Sequence, residues 1–187
     1  DALIGFLCSS NKRILQIREM VARLATELGA DLGAGHHALP EWAALARADD
    51  ATLKRCALGY SAAFLRGTAR RLVDRPRWAE ELAALPTPAL LAELRTLPGV
   101  GPKVAACVAL FGFGRLESFP VDTWVVQALA GAYGLRGWPA DRLEAFGRIH
   151  FGAGAGLAQQ YLFAAARAGQ LPVTSPERPT PRARARR

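Results

Sequence analysis

Leu97-Pro98-Gly99-Val100-Gly101-Pro102-Lys103-Val104 reads as a tight turn between two helices. Its glycines allow a sharp turn and a close approach of backbone to ligand, where a Cβ would obstruct. Pro102 suits the first turn of the second helix, where its missing N–H costs nothing. The uncommitted amides at that helix start, with the backbone of Gly99, Val100 and Gly101, form a ready site for one phosphate. Lys103 stands at the mouth of that site. Further on, Pro120-Val121-Asp122-Thr123 leads into an apolar helical run, with Asp122, 19 positions after Lys103, placed to cap it.

Read plainly, Lys103 is a surface lysine and Asp122 an ordinary cap. Position argues for more. A helix N-terminus and an apolar surround (Val104, Ala105, Ala106, Cys107) both disfavour a charged ammonium. A neutral amine is a nucleophile that can attack a sugar carbon and form a Schiff base. Capping is compatible with chemistry at Asp122, because it holds the carboxylate rigid beside a developing positive charge. The same carboxylate could deprotonate or orient Lys103.

The rest of the chain gives these residues a helical setting. At 187 residues and 51% hydrophobic, it can bury one good core or two small lobes. Ala and Leu are abundant and long alternating strand patterns are missing, so the fold class is all-α. The formal charge is +8; residues 177–187 hold five arginines against Glu177, which leaves +4 on the body. A basic body suits a polyanion, and residues 171–187 read as a Pro/Arg-rich basic tail outside a domain of residues 1–170. Cys8, Cys56 and Cys107 are too widely spaced to indicate a disulfide framework, a zinc site or an Fe–S cluster. No membrane span or secretory signal is visible, so an intracellular, reducing compartment is expected. Asp1 stands where an initiator Met would, which points to a natural N-terminus further upstream.

Apolar spacing predicts a helix over 3–28, interrupted by Cys8-Ser9-Ser10-Asn11, then a Gly/His loop over 29–40. Short helices follow over 41–48 and 50–57, the second capped by Asp49 or Asp50. Further helices are expected over 61–73, 78–85, 87–96, 103–111, from Asp122 to near Tyr133, 140–151 and 155–168. His36-His37 lacks matching metal ligands, and His150 reads as a helix-end residue.

The turn, Lys103 and Val121-Asp122-Thr123 together resemble the helix-hairpin-helix DNA glycosylase superfamily. Within it, Leu3–Arg23 with its Cys-Ser-Ser-Asn, Leu58-Gly59-Tyr60 before an Ala/Arg helix, and Gly154–Phe163 resemble the 8-oxoguanine DNA glycosylase/AP lyase family. The resemblance runs from about Leu3 to Arg167 and lacks that family's N-terminal β-sheet subdomain. It implies a two-lobed helical domain that, as a monomer, binds damaged double-stranded DNA in the nucleoid or nucleus. It further implies that Lys103 and Asp122 are catalytic, that Asn11 fills the hole left in the duplex, and that Tyr60 wedges beside it. Cys107 and Phe163 would sandwich the flipped base while Gln159 reads its edge. Without the resemblance, Cys107 and Phe163 are ordinary core residues, Asn11 a turn or cap residue, and Gln159 an exposed helix residue. Lys12, Arg13 and the Arg66/Arg70/Arg71 face are candidate phosphate contacts. No cofactor is implied beyond a monovalent cation at the hairpin.

Three residues depart from the family pattern. Trp124 stands where the family has a His that contacts the damaged nucleotide's phosphate. Gln16 and Ser61 replace arginines that help read cytosine, so a looser choice of opposite base is expected. The rival readings are a glycosylase for another oxidised or alkylated base, and a non-catalytic hairpin protein that only grips DNA.

Overall fold

The computed structural model describes residues 1–9 and 12–171, which fall into two compact units divided between Pro120 and Val121. Asn11 and the basic tail from residue 172 lie outside the described residues.

The first unit opens with α1 (Ala2–Cys8) and α2 (Ile14–Leu28). The helix expected over 3–28 is therefore two helices. Ser9 closes α1 by donating both its N–H (3.1 Å) and its Oγ (2.8 Å) to the Phe6 carbonyl, a local bond that competes with helix continuation. At the start of α2, the Gln16 Oε1 accepts from the Arg13 N–H at 2.9 Å. That back-bond satisfies a donor the helix leaves over. The Gly/His segment expected as a loop contains a short antiparallel ribbon, β1 (Asp31–Gly33) with β2 (His36–His37). Gly33, Ala34 and Gly35 all take positive φ, the geometry that a tight turn between twisted strands demands.

Then come α3 (Trp42–Arg47) and α4 (Asp50–Arg55), the latter capped by Asp49, whose Oδ1 accepts from the Thr52 N–H at 2.7 Å. They are followed by α5 (Ser61–Leu72), α6 (Trp78–Ala83), α7 (Thr87–Arg95) and α8 (Pro102–Phe113). Every residue of α8 from Val104 to Leu110 is buried. A helix apolar on all sides has to lie inside, and α1 and α7 pack against it. Leu3, Leu7, Leu24, Leu65, Leu90 and Leu94 complete this core. Each fully buried Leu contributes about 1.5–3 kcal/mol relative to exposure.

The second unit holds α9 (Thr123–Ala132), α10 (Ala140–Phe151) and α11 (Ala155–Arg167). α11 packs on α9, and α10 leans on both. The chain leaves α9 through Gly134 in the left-handed region (φ 71°), with the Leu135 N–H returning to the Leu129 carbonyl. The fold is all-α apart from the ribbon, as the sequence predicts.

Candidate active site

The hairpin is built as the sequence demands. α7 stops at Arg95, the Val100 N–H donates to the Leu97 carbonyl (3.2 Å), and Gly99 takes φ 78°. Gly101 is the N-cap residue of α8, with Pro102 in the first turn and no side chain capping the helix. Among the described residues no side chain caps the start of α8, the arrangement that suits a phosphate.

α5 holds this turn from behind. The Thr68 Oγ1 donates to the Pro98 carbonyl (3.4 Å) and Arg71 donates to the Thr96 carbonyl (2.6 Å). A Cβ built on Gly99 would lie 2.5 Å from Phe64 Cγ, so the ring sits directly on the glycine backbone. Arg66 is ion-paired with Asp50. Of the three arginines expected to face phosphate, Arg66 and Arg71 therefore have protein partners, while Arg70 is exposed.

Lys103 is half-buried, and its Nζ lies 5.7 Å from the centroid of the Phe6 ring. Phe6 in turn packs against Phe111. Cys107, one turn further along α8, is buried. Tyr60 is 46% exposed at the head of α5, with the Lys12 Nζ over its ring at 5.4 Å and its edge against Phe64. Lys12 and Tyr60, read separately in the sequence, thus form one corner. Arg13 is exposed close by in sequence. Gln16 is engaged in capping α2, and the Ser61 Oγ is buried without a hydrogen-bond partner among the described residues.

In the second unit, Asp122 is half-buried and caps α9: its Oδ1 accepts from the Val125 N–H at 2.8 Å. Trp124 is 38% exposed in the first turn of the same helix. Gln159 and Phe163 are one turn apart on α11 and so share a face. Gln159 is buried, not exposed, and its Oε1 accepts from Gln160 at 2.5 Å. Phe163 carries the Arg167 guanidinium over its ring at 5.6 Å.

Two contacts are absent from the sequence reading. Phe64 follows Tyr60 by four positions, a helical spacing that offers a signal. Phe6 offers none, because its meeting with Lys103 depends on how α1 packs against α8. Burial, with a smaller contribution from Cys56, pushes the Cys8 thiol up to about 12. Burial also raises the Cys56 thiol. Both are protonated near neutrality and poor nucleophiles.

No protein-family model matches the chain. It is 37% identical over 180 residues to the N-glycosylase/DNA lyase OGG1 of Arabidopsis thaliana, covering 88% of this chain and 49% of that protein. Among solved structures, the Clostridium acetobutylicum 8-oxoguanine glycosylase/lyase, in complex with double-stranded DNA containing cytosine opposite 8-oxoG, superposes with a TM-score of 0.85. Identity there is 31%, over 90% of this chain and 59% of that one. The 3-methyladenine DNA glycosylase of Archaeoglobus fulgidus, 20% identical, shares the fold with a TM-score of 0.73 over 89% of this chain and 57% of that one. Fold and hairpin together define the helix-hairpin-helix DNA glycosylase class. Within that class, the relatives it matches at 31–37% identity are 8-oxoguanine glycosylase/lyases and N-glycosylase/DNA lyases. It spans about half the length of the Arabidopsis relative.

Proposed function

We propose that this chain carries the catalytic helices of a bifunctional glycosylase/AP lyase that removes 8-oxoguanine from duplex DNA. The observation that carries the proposal is Lys103, half-buried in the first turn of α8 directly after the hairpin. Relatives of this chain are N-glycosylase/DNA lyases, and one was solved with duplex DNA containing 8-oxoguanine.

The target base is inaccessible within the stack, so the nucleotide flips out. The hairpin amides hold a phosphate, Lys12 and Arg13 add charge, and Tyr60 props the vacated duplex. Cys107 and Phe163 cover the base and Gln159 reads its edge, while Trp124 lies along the nucleotide. The Lys103 amine attacks C1′ as the glycosidic bond breaks, and the base leaves with the bonding pair and takes up a proton. Asp122 faces the positive charge that develops at the sugar. The resulting aminal opens to a Schiff base, and loss of a C2′ proton expels the 3′ phosphate by β-elimination. The Leu97 and Pro98 carbonyls, which accept from the Val100 N–H and the Thr68 Oγ1, are the groups that would hold a monovalent cation, and its positive charge would favour a phosphate at the hairpin. With Gln16 tied to its own helix and Ser61 turned inward, discrimination for cytosine opposite the lesion is weak.

Borohydride trapping tests the proposal, using duplexes with 8-oxoguanine opposite cytosine and a plain guanine control. A covalent band that vanishes in Lys103→Gln, while lesion binding persists, is expected. Tight binding without a band would instead support a non-catalytic hairpin protein.

A further inference from the structure

Tyr60, Phe64, Thr68 and Arg71 recur at i, i+4, i+8 and i+11, so they share one face of α5 and its N-terminal extension. That face is engaged along its whole length. Tyr60 meets Phe64 edge-on, with ring centroids 6.1 Å apart and planes at 74°. Phe64 lies against Gly99, with its Cγ, Cδ2 and Cβ all within 2.8 Å of where a Gly99 Cβ would stand. Thr68 and Arg71 bind the Pro98 and Thr96 carbonyls. Gly67 also lets Pro98 in: a Cβ there would come within 3.2 Å of the proline Cγ. One aromatic ring therefore touches both an exposed tyrosine and the glycine on which the hairpin turns.

We infer that Phe64 is a positioning residue that fixes the Tyr60 wedge relative to the phosphate-gripping hairpin, so that both meet DNA as one rigid gauge. This rests on the function proposed for the hairpin and Tyr60. At 1.5 Å per helical residue, Tyr60 and Thr68 are separated by about 12 Å along α5. That corresponds to roughly three to four base steps of duplex at 3.4 Å each. A rigid spacer of this length sets where the wedge enters once the hairpin has its phosphate.

The test uses the full chain, with Phe64→Leu, Tyr60→Leu and the double variant, and an abasic-site duplex as probe. Dissociation constants are measured across a salt series. In the wild-type background, Tyr60→Leu is expected to weaken binding about ten-fold, in the range of a stacking contact. In the Phe64→Leu background the same change should cost less than two-fold. Phe64→Leu alone should also lower the salt slope by about one phosphate contact, because the hairpin loses its backing. A merely structural role would leave the Tyr60 penalty and the slope intact. The inference is overturned if Tyr60→Leu costs the same in both backgrounds, or if the slope does not change. If Phe64→Leu does not fold, Phe64→Met replaces it under the same criteria. Wild-type trapping is run in parallel. Its absence would sink the proposed function, whereas trapping with an unchanged Tyr60 penalty would sink only the gauge.

Discussion

The Lys103 Nζ lies 5.7 Å from the centroid of the Phe6 ring, so a residue of α1 stands against the side chain that opens α8. Such contacts are worth about 0.5–2 kcal/mol, enough to select one orientation of a flexible lysine. Phe6→Leu keeps apolar bulk and removes the ring face. At saturating protein, the rate of Schiff-base trapping is expected to fall by about three- to ten-fold, since misplacing a nucleophile is costly. Duplex affinity should stay within about two-fold of wild type, because the hairpin amides are untouched. An unchanged trapping rate would show that the ring does not position the amine.

Asp122 combines a cap and a charge, and two substitutions separate them. Asn is as good an N-cap as Asp, so Asp122→Asn should melt within a degree or two of wild type while losing most turnover. Asp122→Ala also strips the bond to the Val125 N–H and should lose about 1 kcal/mol of stability. Thermal melts beside single-turnover excision would check this. Full activity in Asp122→Asn would remove the carboxylate from the chemistry.

Gly99 has two reasons to be glycine, its positive φ and the Phe64 ring. Gly99→Ala must relieve both by moving the turn. Binding of undamaged duplex is expected to weaken by about ten-fold or more, with the salt slope reduced as a phosphate contact is lost. Anisotropy titrations across a salt series read both quantities.

The Cys8 thiol, held protonated to about pH 12 by burial, makes stability depend on alkalinity. Its ordinary value is 9.0, so between roughly 9 and 12 the folded chain keeps a proton that the unfolded chain releases. The stabilisation is complete below pH 9 and is lost as pH rises toward 12. The melting midpoint should therefore drop between about pH 8 and about pH 11, and Cys8→Ala should flatten that drop. Cys56, raised in the same direction, leaves a residual slope. A pH profile unaltered by Cys8→Ala would contradict this.

Much of this was legible in the chain because the controlling physics is local. Gly99, Gly101 and Pro102 dictate a turn and a helix start, and Asp122 before an apolar run dictates a cap. The helices came out near their expected bounds for the same reason. The ribbon at 31–37 was missed because two- and three-residue strands carry no periodic signal. The break after Cys8 was visible only as an interruption, since it is made by Ser9 bonding back to Phe6. The contact of Phe6 with Lys103 spans 97 positions and that of Phe64 with Gly99 spans 35, separations that local sequence spacing does not reveal. Ser61 and Gln16 depart from the family pattern in sequence, but the burial of the first and the helix-capping bond of the second arise from the fold around them.

The burial of α8 from Val104 to Leu110 has a dynamic consequence. Surface loops that carry reactive groups open and close locally, at little cost to the rest of a protein. Lys103 has no such freedom at its Cα, since the turns that follow it are buried in the core of the first unit. Backbone amides of α8 beyond its first turn should exchange with solvent only through global unfolding. The side chain can still swing, but its root cannot fray. Mobility for admitting and releasing a nucleotide must then come from other segments, and substitutions that loosen this core will degrade the aim of the nucleophile before they unfold the chain.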